Sequence, residues 1–256
     1  MKYDKVPCEL VFKSELSPGV FDFRVKSEVF ANAAVPGQFA HILVPGKTLR
    51  RPISICDVDK AKGTLRLVFE VRGEGTEILS RTAVGQPLDI LAPLGHGFSM
   101  KDTGKKTVFV GGGIGVPPLL YASKAYGENA VAVLGFRNRD AVILTKDFEE
   151  SGCKVVLTTD DGSAGRRGFV TEALLEEIEG ANLVCACGPT PMLKAVARLC
   201  EQRGVSCEVS LEERMGCGVG ACLVCACKTR RPDGNDTYSH VCKDGPVFNA
   251  KEVVWP

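Results

Sequence analysis

Histidine is scarce in this chain: His41, His96 and His240 are the only three among 256 residues. None stands in a Ser/His/Asp pattern, so the residues supply no convincing catalytic base. Each of the three reads as structural or solvent-facing. Charge of one sign is also missing. With 32 basic and 31 acidic residues the formal net charge is +1, which leaves no electrostatic footprint for nucleic acid or an anionic membrane. No run reaches the ~18 to 20 apolar residues that a membrane helix needs. The opening MKYDKVPCEL has no apolar core of a secretory signal. These absences predict a cytoplasmic chain in a reducing compartment.

Cysteine, by contrast, is abundant, with 12 residues. In a reducing compartment structural disulfides are disfavoured, and metal or redox chemistry becomes the stronger reading. Cys8, Cys56 and Cys153 are scattered, whereas Cys185, Cys187, Cys200, Cys207, Cys217, Cys222, Cys225, Cys227 and Cys242 crowd the last third. Asn235-Asp236-Thr237 matches a glycosylation sequon, which carries no meaning without secretion.

The first hundred residues read as β. Candidate strands over 6–16, 20–27, 38–44, 52–58, 64–71 and 87–91 are separated by turns such as Ser17-Pro18-Gly19 and Val35-Pro36-Gly37. With one short helix over 76–81 they predict a six-stranded antiparallel barrel. From Lys105 the rhythm changes. Strands at 107–110, 130–136, 155–159, 183–186 and 207–211 alternate with helices, the signature of a five-stranded parallel sheet covered on both faces. Thr190-Pro191 reads as a helix cap followed by proline at the first helical position. Beyond about Glu212 no period is visible, and a small irregular module is expected, held by something other than a conventional core. The expected domains are residues 1–101, 102–211 and 212–256.

Cys217, Cys222 and Cys225 stand at C-x4-C-x2-C, and Cys242 follows after sixteen intervening residues. This is the plant-type [2Fe-2S] spacing, three ligands in one loop and a distant fourth. Gly216, Gly218 and Gly220 let such a loop wrap a cluster closely. Zinc, which favours two paired units, fits less well because Cys242 has no sequence neighbour to pair with. Cys227 is a competing ligand by position, but the spacing favours Cys225.

Two glycine loops could cradle phosphates. Val110-Gly111-Gly112-Gly113-Ile114-Gly115-Val116-Pro117-Pro118 follows a strand and opens a helix, but Val116 stands where the full fingerprint has its third glycine. It is either a dinucleotide loop or a tight structural turn. Arg72-Gly73-Glu74-Gly75-Thr76 is equally a phosphate loop or a plain β-turn. Arg137 and Arg139 follow the second strand of the sheet, where an acidic ribose ligand would mark NAD. The residues alone leave NAD against NADP open.

In combination the motifs point further. Arg51-Pro52-Ile53-Ser54 resembles the R-x-[YFI]-[ST] flavin motif of the ferredoxin–NADP reductase superfamily. GGGIGVPP and Cys187-Gly188-Pro189-Thr190-Pro191-Met192 resemble its nicotinamide-nucleotide motifs. With TTDDGSAGRRGFVTEAL, LEERMGCGVGACLVCACK and HVCKDGPVF, the whole chain resembles, in order, the electron transfer subunits of class 1B dihydroorotate dehydrogenase.

The resemblance implies FAD, a [2Fe-2S] cluster and NAD as cofactors. It implies that Arg51 holds the phosphate side of FAD, that Pro52 and Ile53 belong to the same motif, and that Ser54 bonds near the isoalloxazine ring. Val68, Phe69 and Glu70 would line FAD with their backbone, and Gly75 with Thr76 would bind its pyrophosphate. Gly111, Gly112, Gly113, Gly115, Gly188 and Pro189 would cradle the dinucleotide. Cys187 would sit at the nicotinamide as the catalytic position, and Cys217, Cys222, Cys225 and Cys242 would ligate the cluster. What covers the flavin ring is not implied, and Phe248, one candidate, reads better as a packing residue.

The implied activity is relay of electrons from an FMN-bearing catalytic subunit through the cluster and FAD to NAD+ in pyrimidine biosynthesis, in a heterotetramer of two copies of each chain. The alternatives are the small subunit of a ferredoxin–NAD(P) oxidoreductase, whose family carries an aspartate in place of one cluster cysteine, a sulfide dehydrogenase-like complex, or a zinc-stapled binding protein without enzymatic activity.

Overall fold

The structure, a computed structural model, describes residues 3–256. Six strands close the first barrel: β1 (Asp4–Ser17), β2 (Val20–Lys26), β3 (Phe39–Ile42), β4 (Arg51–Asp59), β5 (Thr64–Glu70) and β6 (Pro87–Leu94), in the order β1-β2-β5-β4-β3-β6. All neighbours are antiparallel. Alternation along the strands puts Phe23, Val25, Ala40, Ile42, Ile55, Leu65, Leu67, Phe69 and Ile90 inside the barrel. Helix α1 (Glu28–Ala33), which the sequence reading missed, plugs this core with Phe30 and Ala31. Its cap is Ser27, whose Oγ accepts from the Phe30 N–H at 3.3 Å. Helix α2 (Glu74–Ser80) links β5 to β6.

The second sheet has the order β10-β9-β8-β7-β11-β12-β15. Its five inner strands are β7 (Thr107–Gly112), β8 (Ala130–Phe136), β9 (Lys154–Thr159), β11 (Leu183–Cys187) and β12 (Ser206–Ser210), all parallel. These are the five expected strands. Two short edge strands extend the sheet, β10 (Arg166–Arg167) and the antiparallel β15 (Val247–Asn249). Strands β7 and β8 are buried at every position, because helices cover both faces. Helices α3 (Pro117–Lys124) and α4 (Thr145–Glu150) lie on one face. Helices α5 (Val170–Glu177) and α6 (Thr190–Arg203) lie on the other. Helix α6 begins at Thr190 itself, and Pro189 occupies the cap position without a side-chain bond, one residue earlier than expected.

The face bearing α3 also meets the barrel, through Val20, Cys56 and Val68. A buried ion pair fastens this contact: Arg66 on β5 bonds Asp22 on β2 at 2.9 Å and also Asp147 on α4.

The last segment is less irregular than expected. Strands β13 (Ala226–Arg230) and β14 (Asp236–His240) form an antiparallel hairpin. β15 then joins the edge of the parallel sheet, pairing Val209 with Phe248. The core of this segment is small and shared: Cys225, Val241, Cys242 and Phe248 pack on Phe39 and Leu94 of the barrel.

Candidate functional site

The outer face of β4 and β5 opens into a cleft of about 220 Å³ lined by Pro52, Ile53, Ser54, Val68, Phe69, Glu70 and Thr76. Cys187, Glu212 and Met215 close its other walls. Arg51 does not line this space, but its guanidinium lies directly on Gly75, where a Cβ would collide with it. Two motif segments distant in sequence are thus brought into contact. Arg51 Nη1 donates to the Leu49 carbonyl at 2.8 Å, which holds the side chain in place. The Thr76 hydroxyl is engaged by its own loop: it accepts from the Arg72 N–H at 2.9 Å and donates to the Gly73 carbonyl at 2.9 Å.

A second cleft of about 870 Å³ lies at the carboxyl ends of the parallel strands. There β7 stands between β8 and β11, so helices leave in opposite directions and a crevice forms. Gly112, Gly113, Gly115, Gly188 and Pro189 line it. Gly111 does not; it is buried within β7, where a Cβ would strike Val116. At Gly115 a Cβ would run into the carbonyl of Cys187, so glycine is what lets the turn after β7 approach β11. Both clefts share Glu70, Arg72, Ile114 and Glu212, so they meet at one junction.

Cys187 sits beside that junction, at the end of β11, and is buried. Burial first, and then the Glu212 charge, push its thiol far above the ordinary value. It is a neutral thiol, not a thiolate nucleophile. Burial also raises the Glu212 carboxyl, against the pull of Arg72 and with the help of Glu70.

The cysteine loop lies on the barrel side of this junction. Ala221 N–H donates to Cys217 Sγ at 3.2 Å, Val219 N–H to the same sulfur at 3.5 Å, and Gly220 N–H to Cys242 Sγ at 3.2 Å. Burial works against the Cys217 thiolate, yet the N–H groups of Val219, Cys222 and Ala221, together with the Cys222 thiol, outweigh it and bring the thiol down to about 6. Such N–H···S bonds stabilise ligating thiolates and tune a cluster. The sulfurs fall into two pairs, Cys217 with Cys222 and Cys225 with Cys242. Among the described residues no three metal-ligating side chains close around one ion. Cys227 lies on β13 opposite Ser239, and burial raises its thiol to about 11.

One residue of this region, read from the sequence as structural or solvent-facing, lies closer to the cysteine loop than that reading implied. His41 is 0% exposed and faces Gly218, in the loop between cluster cysteines. Its only sequence signal is a polar residue amid the apolar run Phe39-Ala40-His41-Ile42. Phe248 packs with Phe39 and Leu94 and does not line the first cleft, in keeping with a packing role.

Comparison with known proteins follows the same division. A family model for the iron–sulfur cluster binding domain of dihydroorotate dehydrogenase B matches residues 212–254, and one for an oxidoreductase NAD-binding domain matches residues 109–198. A chain from the NADH-dependent reduced ferredoxin–NADP oxidoreductase structure superposes with a TM-score of 0.86 at 33% identity, covering 98% of this chain and 90% of that one. The ferredoxin reductase of carbazole 1,9a-dioxygenase shares the fold, with a TM-score of 0.68 at 23% identity over 80% of this chain and 67% of that one. Barrel, parallel sheet and cysteine loop together define an oxidoreductase of the ferredoxin–NADP reductase class that uses FAD, NAD and an iron–sulfur cluster.

Sequence relatives narrow the class. The dihydroorotate dehydrogenase B (NAD(+)) electron transfer subunit of Caldanaerobacter subterraneus subsp. tengcongensis is 46% identical, over 86% of this chain and 87% of the relative. That of Geobacillus thermodenitrificans is 40% identical over 96% of both chains. The chain belongs to this family of electron transfer subunits.

Proposed function

We propose that this chain relays electrons from a catalytic partner that oxidises dihydroorotate to NAD+, with the cluster outermost, FAD in the middle and NAD at the far cleft. The observation that carries the order is the shared junction: the two clefts meet at Glu70, Arg72, Ile114 and Glu212, and the cysteine loop packs on Phe39, which lines the first cleft. FAD, when bound, exchanges electrons singly with a cluster and in pairs, as hydride, with NAD+, so it belongs between them.

In this reading Arg51, Gly75 and Thr76 shape the phosphate side of the FAD site, and Pro52, Ile53, Ser54, Val68, Phe69 and Glu70 line it. Gly112, Gly113, Gly115, Gly188 and Pro189 receive NAD, and Gly111 gives the loop its packing. Cys187, a neutral thiol, fills the floor where flavin and nicotinamide meet. Cys217 and Cys222 hold one iron, and Cys225 and Cys242 the other. Residues 1–101, 102–211 and 212–256 act as the FAD, NAD and cluster units. The last unit leans on the other two for its core and its sheet edge.

The partner we assign is an FMN-bearing catalytic subunit in a heterotetramer of two copies of each chain, in the cytoplasm. Leu223 and Val224, 76% and 56% exposed, stand between Cys222 and Cys225. An apolar tip beside cluster ligands suits a protein contact within electron-transfer reach. No helix among the described residues is long and apolar enough to cross a membrane.

The native complex is expected to contain FMN and to reduce NAD+ with dihydroorotate. Cys222→Ser should remove the cluster spectrum and the transfer between subunits while sparing bound FAD. A complex that reduces ferredoxin without dihydroorotate activity would overturn the assignment, and a retained cluster would overturn the ligand set.

A further inference from the structure

A buried polar side chain with nothing to bond is unusual, because its lost hydration is not repaid. His41 is such a case. Its ring is 0% exposed, and neither Nδ1 nor Nε2 completes a hydrogen bond. The carbonyls of Arg50 and Cys217 both approach it, without bonding geometry.

Its strand explains where it points. Along β3, Ala40 and Ile42 turn into the barrel core. Phe39 and His41 turn outward, under the cluster segment. Phe39 lines the first cleft, and His41 pairs across the sheet with Pro52 of the Arg51–Ser54 segment. On the far side of the ring lies Gly218, at φ +74°, where a Cβ would collide with His41 Nδ1. The neighbouring positions on this covered face, Phe39, Leu91 and Leu94, are apolar. Packing alone would therefore accept a leucine or phenylalanine at position 41. A neutral imidazole adds one N–H donor and one acceptor.

We propose that His41 is a positioning residue for the cluster: from the flavin barrel it donates a ring N–H into the Cys217–Gly218 loop, and so fixes the Cys217 side of the cluster and its reduction potential. The inference rests on Cys217 being a ligand. It also makes β3 the physical link between the first cleft and the cluster loop, with Phe39 at one and His41 at the other.

The test uses the full chain in its native complex. His41→Phe fills the space without a donor, and His41→Gln keeps an N–H. Iron content, visible spectrum and an EPR-monitored reductive titration are read for each. A ring N–H aimed into this loop puts the positive end of a dipole beside the cluster, which favours the cluster's reduced, more negative form. His41→Phe should therefore keep FAD and iron but lower the potential by the equivalent of about tenfold in the one-electron equilibrium, about 59 mV. His41→Gln should return it toward the unaltered value.

An unchanged potential in an iron-loaded His41→Phe complex overturns the proposal. Should His41→Phe lose its iron, His41→Gln decides: a loaded cluster at the unaltered potential supports the donor role, and loss there too shows that only the ring's shape matters. Iron missing from the unaltered complex would instead defeat the ligand assignment.

Discussion

The barrel and the cluster segment hold together by different means. In the barrel, Leu67 and Phe23 belong to a core whose buried members all come from the same unit, and the sheet closes on itself, so no edge is left unpaired. In the cluster segment, Cys225 and Cys242 are just as buried, yet their apolar neighbours Phe39 and Leu94 belong to the barrel. The pairing of β15 belongs to the edge of the parallel sheet. One region carries its own core; the other is a hairpin and loops stretched over two borrowed surfaces. A segment built this way can present its ligands close to the surface, which an electron relay requires.

The sharpest way to break that contrast is to remove the iron. Chelation under reducing conditions should abolish the cluster spectrum and the hydrogen-exchange protection of residues 212–246, while FAD stays bound to the barrel. Equal loss of protection in both regions would show that the barrel depends on the cluster.

Next in size is the ion pair that joins barrel to sheet. Arg66→Leu leaves Asp22 buried without its partner and should destabilise the chain by about 3–5 kcal/mol in denaturant melts. Leu67→Ala opens a cavity in the barrel and should cost about 2–5 kcal/mol with the cluster spectrum unchanged. Leu223→Asp should leave stability, FAD and cluster intact but weaken association with the catalytic subunit by about tenfold, or about 1.4 kcal/mol, measured by titration of the two chains.

Much of the architecture is legible along the chain because its periods are strong. Ala130-Val131-Ala132-Val133-Leu134-Gly135-Phe136 is apolar throughout, as a strand covered on both faces must be, and it forms β8. Alternation in 64–71 likewise leads to β5. Short elements held by tertiary contact escape such a reading. Helix α1 is six residues long and exists because Phe30 fits the barrel mouth. The β13–β14 hairpin did carry a local signal, the turn Arg231-Pro232-Asp233-Gly234-Asn235, which the density of cysteines and glycines around it obscured. β15 has no periodicity of its own, since three residues complete another unit's sheet.

The site divides in the same way. Cysteine spacing and the R-x-[YFI]-[ST] resemblance lead to the proposed ligand set and flavin strand, because a loop around a cluster and a strand under a ring impose local spacing. The placing of Arg51 on Gly75, the meeting of the two clefts and the burial of His41 beneath Gly218 depend on which segments the fold stacks together.

The scarcity of histidine in the chain thus has two meanings. By itself the sequence determined that this is an electron-carrying chain, since cysteine spacing and strand periods are local properties. Only the tertiary structure decided that one of the three histidines lies sealed between flavin barrel and cluster loop. That position is created by the packing of β3 against a segment more than 170 residues away along the chain, and no local pattern encodes it.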